Sequence, residues 1–170
     1  MSETDQMPRW YAIRTRSRHE KLVRDRLAAE GIEQLLPTVF RLSQWKDRKR
    51  RIQIPLFGGY VFVHVPIRQR RLDILKVPGI VRIVGLNNIP EPVPDEEIES
   101  VQVFLKTTIR YDPYPYLAVG RRVEIRRGAL KGLQGILIKK KNKFKFVLSV
   151  HLIQQSVALE IDASDIEPAG

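Results

Sequence analysis

The three histidines, His19, His64 and His151, are dispersed, and the chain has no cysteine. No metal-ligand spacing, phosphate loop or nucleophile elbow accompanies them. A nucleophile needs a base within reach and a metal needs clustered ligands, so neither an enzyme nor a cofactor is expected here. The residues able to do chemistry are cationic and aromatic. Arg41, Lys46, Arg48, Lys49, Arg50 and Arg51 surround a lone Trp45. Such a basic run either contacts phosphates, with the indole free to stack on a base, or is a solvated charge cluster. A second cluster, Lys139, Lys140, Lys141, Lys143 and Lys145, surrounds Asn142, a residue that tolerates left-handed turns. Nucleic acid is one neighbour that would suit it, and solubility is the plainer reason for it.

The aromatic signal lies between these clusters, in Phe57-Gly-Gly-Tyr-Val-Phe-Val-His-Val65. On a strand, Val61, Val63 and Val65 share one face, while Tyr60, Phe62 and His64 share the other. The valine face suits packing under helices. The aromatic face, joined by Phe57, is either ordinary core or an exposed patch that marks a partner site.

Whole-chain composition agrees with a binding protein. The 170 residues carry 30 Lys and Arg against 19 Asp and Glu, a formal charge of +11, which favours polyanionic partners. Residues 1–106 hold 19 basic against 13 acidic side chains, and residues 107–170 hold 11 against 6, so both parts are basic. The absence of cysteine excludes a disulfide framework and fits a reducing compartment. The N-terminal residues lack an apolar signal core, and no apolar run is long enough to span a bilayer. A cytoplasmic monomer without membrane contact is expected.

The elements that would hold these residues alternate. Residues 10–13 read as a strand. Ser17 and Glu20 are spaced as a capping box opening a helix on Leu22, Val23 and Leu27, which Gly31 ends. Residues 32–37 and 60–65 read as strands, and residues 41–51 as a loop or hairpin tip. Residues 67–76 read as a short helix before Pro78, and residues 80–84 as a strand. Asp95, Glu96 and Glu97 open a last helix with an apolar stripe of Ile98, Val101 and Leu105. The resulting β-α-β-β-β-α-β-α order predicts an α/β sandwich with helices on a sheet. Residues 107–117, with two prolines and no periodicity, predict a semi-rigid linker. Beyond it, four period-2 runs without helices predict a small β-barrel.

The run Val119-Gly-Arg-Arg-Val-Glu-Ile-Arg-Arg-Gly-Ala-Leu-Lys-Gly-Leu-Gln-Gly-Ile136 resembles the KOW motif of transcription factors and ribosomal proteins. Earlier, Trp10-Tyr11, residues 57–63 and Val77-Pro-Gly-Ile-Val-Arg-Ile-Val-Gly85 look like landmarks of the NusG N-terminal domain. Together the matches cover nearly the whole chain. The resemblance implies a polymerase-binding domain over residues 8–106, with an α/β (α+β) sandwich and a mainly antiparallel sheet. A linker at 107–117 and an SH3-like KOW barrel at 118–170 would follow.

In that family the first domain sits on the clamp helices of RNA polymerase and the KOW domain recruits another factor. The family's polymerase pocket uses positions matching Phe57, Tyr60, Phe62 and Ile83, with Arg14 at its rim. Residues Trp45, Lys46, Arg48, Lys49, Arg50 and Arg51 would then lie near DNA in the elongation complex. Arg68, Arg70 and Arg71 lie where some relatives touch a second polymerase element, but they do not reproduce the polar motif found there. Housekeeping relatives dock on Rho or a ribosomal protein through an aromatic and an arginine in the loop after the third KOW strand. Here Leu152, Ile153 and Gln155 occupy that loop, with Ile153 in place of the aromatic and Gln155 in place of the arginine. This departure points to a specialised antiterminator with a different KOW partner. A ribosome-associated RNA-binding protein is the alternative, because KOW domains also occur in ribosomal proteins.

Overall fold

In the computed structural model, residues 6–45, 48–107, 111–117, 119–140 and 143–169 are described, with only the backbone described for 41–45, 48–50, 112, 113, 140 and 163. The chain forms two compact units, residues 1–94 and 95–170.

The first unit is built on β1 (Arg9–Thr15), α1 (Glu20–Ala29), β2 (Glu33–Leu35), β3 (Thr38–Trp45), β4 (Arg48–Pro55), β5 (Tyr60–Val65), α2 (Ile67–Leu75) and β6 (Ile80–Ile83). A four-stranded antiparallel sheet has the order β2-β5-β1-β6. Tyr11 and Ile13 of β1 and Val61, Val63 and Val65 of β5 form its helix-facing side. They pack with Val23 and Leu27 of α1 and Ile67 and Ile74 of α2 in one buried cluster. This is the valine face expected from the period of two, and Val23 and Leu27 are the one-turn pair that puts α1 on it. Leu22, expected on the same stripe, is exposed. β3 and β4 pair only with each other, as a long antiparallel ribbon. Arg41 and residues 48–51 therefore belong to extended strands, where a loop or hairpin tip was expected, and Lys46 lies outside the described residues. Two further short strands, β7 (Gly85–Leu86) and β8 (Ile89–Pro90), form a small hairpin.

The expected capping box does not form. His19 is the cap of α1 and makes no side-chain cap hydrogen bond. The Glu20 carboxylate accepts the Gly59 backbone N–H at 2.9 Å instead, and among the described residues it is the one buried charged side chain. A helix-start glutamate satisfies an orphan donor in either case, and the tertiary donor wins here.

The second unit begins with α3 (Asp95–Leu105), whose buried residues are Ile98, Val101 and Phe104, with Leu105 half-buried. Then come β9 (Tyr111–Tyr114), β10 (Arg121–Ile125), β11 (Gln134–Lys140), β12 (Lys143–Val150), β13 (Gln155–Ile161) and β14 (Ile166–Pro168). They make a six-stranded antiparallel sheet in the order β14-β10-β11-β12-β13-β9. The linker expected at 107–117 is corrected by β9, which pairs with β13 at the sheet's edge. Pro113 cannot donate to a ladder, but an edge strand needs donors on one side only, so its prolines do not exclude a strand. The chain after β9 is tied down as well. Leu117 N donates to Ser156 Oγ at 3.2 Å, and Ser149 Oγ donates to Leu117 O at 3.1 Å. The boundary expected after residue 106 also differs from the observed division at 94/95, since α3 groups with the sheet that follows it.

Candidate polymerase and nucleic-acid interfaces

Two of the three landmarks of the first unit meet at the turn between β1 and α1, while the third, Trp10-Tyr11, opens β1 at its far end. Thr15 N donates to Gly59 O at 2.9 Å, and Arg16 N donates to Gly79 O at 2.8 Å. The Phe57-Gly-Gly-Tyr turn and the Val77-Pro-Gly-Ile turn are thus both hydrogen-bonded to one short segment. Gly59 has φ +84°, and a Cβ there would lie 2.5 Å from Arg14 Nη1. Only glycine combines that backbone with a guanidinium laid across it. Arg14 in turn sits over the Tyr60 ring at 4.9 Å, a cation–π contact between cross-strand neighbours.

Glu20 fixes this turn from below. Glu20→Ala leaves the buried Gly59 N–H without its acceptor, so a loss of about 1–3 kcal/mol is expected in urea unfolding. Glu20→Gln keeps an acceptor oxygen and should lose less. Equal stability of both variants with the wild type would show that the contact contributes nothing.

The expected five-residue pocket is not assembled as one exposed face. Tyr60 and Arg14 are half-buried and available at the surface. Phe57 and Phe62 are 1% and 0% exposed and meet edge-to-face, with ring centroids 6.5 Å apart. They are core residues. Ile83 lies on the opposite side of the sheet, since it pairs with Ile13 and packs against the helix-facing cluster. The other end of the aromatic row is occupied internally, because Trp10 stacks on His64 at 5.0 Å and His64 Nδ1 lies 2.8 Å from Glu33. Sequence reasoning missed Arg82, the exposed register partner of Arg14. With Arg14 and Tyr60 it completes a cationic and aromatic row across three strands.

The arginines of α2 are mostly engaged. Arg70 donates to Glu30 O at 3.0 Å and lies 3.5 Å from Asp73, while Arg71 donates to Asn88 O at 3.2 Å. Arg68 is exposed.

Of the nucleic-acid candidates, Lys46 and the side chains of Trp45, Arg48, Lys49 and Arg50 lie outside the described residues. Arg51 is described. Its guanidinium lies 3.9 Å from the centroid of the Phe40 ring, and Phe40 is 58% exposed. Lys21 of α1 holds this ribbon, donating from Nζ to Gln53 O at 2.7 Å. The lysine cluster of the second unit flanks the β11–β12 turn, whose residues 141 and 142 lie outside the described residues. Lys143 is 3.6 Å from Glu160, and Lys139 lies over the Phe144 ring at 5.9 Å.

The loop expected to face a KOW partner is a 3-10 turn, His151–Ile153, followed by Gln154 in the left-handed region at φ 52°. Ile153 is buried at 4% exposure, which corrects its reading as a residue that contacts the KOW partner. The turn aims its isoleucine into the sheet's core, while Leu152 and Gln155 are half-buried and His151 and Gln154 are exposed. His151 N donates to Glu97 Oε1 of α3 at 2.8 Å, and Tyr116 Oη is 3.0 Å from His151 Nδ1.

Burial pushes the Glu97 carboxyl above its ordinary 4.5, against the lowering effects of the His151 N–H and ring; Glu96 adds to the rise. A carboxyl with a raised native pKa binds its proton more tightly folded than unfolded. Its contribution to stability is therefore full below 4.5 and is lost as pH rises through the raised value. Glu97→Gln removes the titrating group. The wild type should gain on the variant in unfolding midpoint as pH falls from 7 to 4, and parallel profiles would show that Glu97 does not report on the folded state.

Among the described residues no His, Asp and Glu cluster could hold a metal, and no helix is long and apolar enough to cross a membrane. A family model described as transcription termination factor nusG matches residues 8–102, more than half of the chain. The chain belongs to the NusG family. It is 28% identical to the transcription termination/antitermination protein NusG of Staphylococcus aureus, over 98% of this chain and 99% of that one. It is 23% identical to the protein of the same name from Borreliella burgdorferi, over 93% and 97%. NusG of Thermotoga maritima, in a structure titled for its domain interaction, shares the fold. The TM-score is 0.56 at 19% identity, covering 98% of this chain and 99% of that one. The Staphylococcus aureus and Borreliella burgdorferi relatives are both named as transcription termination/antitermination proteins.

Proposed function

We propose that this NusG-family chain is a transcription elongation regulator that docks on the clamp of RNA polymerase and suppresses pausing or termination. The docking surface is the Tyr60–Arg14 edge of the first unit. The observation that carries this reading is the convergence of two family landmarks, residues 57–63 and 77–85, on a turn beside an accessible tyrosine that lies under a guanidinium. An amphipathic ring beside a fixed cation is the usual composition of an interface hot spot. The basic β3–β4 ribbon would hold DNA of the elongation complex through its phosphates. The second unit would act as the KOW module and recruit a further factor. Its partner differs from that of housekeeping relatives, because the turn at residues 151–155 offers neither a large flat anchor nor an arginine fork.

The test is transcription in vitro through a Rho-dependent terminator, with polymerase capture measured alongside. Full-length protein should increase read-through. Tyr60→Ala should weaken polymerase capture by about 1–3 kcal/mol and lose the effect in step. Increased termination by the wild-type chain would overturn the antitermination reading. Undiminished capture by Tyr60→Ala would remove this edge as the docking surface.

A further inference from the structure

We propose that the Phe40–Arg51 pair on the β3–β4 ribbon is a stacking platform for an unpaired base of single-stranded DNA. Phe40 is 58% exposed, so the ring is not core, and it stands on a ribbon whose strands join no other sheet. Arg51 comes from the facing strand. Its residue pairs with Leu42, one diagonal step from Phe40, and its guanidinium lies 3.9 Å from the ring centroid. The ring therefore has a cation against it and still keeps more than half of its residue's surface accessible to a ligand.

The chemistry selects among polyanions. A phenyl ring has no donor or acceptor with which to read a base edge, and a duplex presents only edges and phosphates. An unpaired base presents its π-face, which stacks on an aromatic ring regardless of sequence. The neighbouring charges suit the phosphates that flank such a base. Arg51 is itself a phosphate donor, the sequence around it is the most basic run of the first unit, and the chain carries +11. The platform is also held in place, by Lys21 Nζ on Gln53 O at 2.7 Å and by Leu56 N donating to Pro37 O at 2.8 Å across the ribbon's base. The choice of DNA rests on the polymerase-docking reading above, since a transcribing polymerase keeps one DNA strand unpaired.

The experiment measures binding of full-length protein to three fluorescent probes, a 15-nucleotide oligo-dT, an oligo-rU of equal length and a blunt DNA duplex. Capture of RNA polymerase is measured in parallel. Phe40→Ala should weaken oligo-dT binding about tenfold or more, Phe40→Trp should retain it, and duplex binding should be the same in both variants. Because Phe40 is exposed, thermal melting should be unchanged in either. Equal oligo-dT affinity of Phe40→Ala and wild type overturns the platform, as does loss in Phe40→Trp equal to that in Phe40→Ala. Tighter binding of oligo-rU or duplex than of oligo-dT overturns the assignment to single-stranded DNA. Tyr60→Ala separates the two ideas. It should lose polymerase capture and keep oligo-dT binding, whereas Phe40→Ala should do the reverse.

Discussion

Phe62→Ala is expected to unfold the first unit before it reveals anything about a partner. Phe62 is 0% exposed, lies in the central pair of the sheet opposite Ala12, and meets Phe57 edge-to-face. Truncating a buried phenylalanine removes its transfer free energy and leaves a cavity, about 3–5 kcal/mol together. That is a large share of the stability of a small domain. Chemical denaturation followed by Trp10 fluorescence would measure it. Tyr60→Ala, two residues away but accessible, should lose far less stability and more partner affinity. If Phe62→Ala melts like the wild type and only weakens polymerase capture, Phe62 belongs to the interface after all.

In the second unit, Gly135→Ala should be the most damaging small change. A Cβ at this position would lie 2.5 Å from Phe146 Cζ and 2.6 Å from the Val147 backbone oxygen. The phenyl ring is fully buried and has little room to rotate away, and the carbonyl belongs to the neighbouring strand β12. The strands must therefore separate. Overpacking of this kind costs about 1–3 kcal/mol where a side chain yields, and more where backbone must move. The loss should appear as lowered thermal stability with accelerated hydrogen exchange across β11 and β12. Gly128→Ala is the internal comparison, since nothing lies within 4 Å of its Cβ position. Its cost should be confined to the strain of φ +84°. Exchange rates in β11 and β12 that are equal in the two variants would refute the packing argument.

The sequence by itself determined which side chains share a face and which chemistry the molecule can offer. The period-2 runs placed Val61, Val63 and Val65 together under the helices, as observed. The basic runs and dispersed histidines directed attention to binding, and the glycine-punctuated landmarks pointed to the family that the comparisons then showed. What periodicity does not carry is whether a given face is covered, because that depends on residues far away in the chain. Phe57, Phe62 and Ile153 therefore read as candidate contacts and proved to be core. Ile83 was assigned to the aromatic row, but strand register, a pairing property, put it on the opposite side of the sheet. Glu20 had two acceptable donors, one local and one 39 residues away, and the fold supplied the distant one. Pro113 looked like linker because local rules penalise proline in strands, and only a place at the sheet's edge removes the penalty. The alternation of a strand is written in neighbouring residues, whereas burial, register and edge position are written in contacts that exist only after the chain has folded.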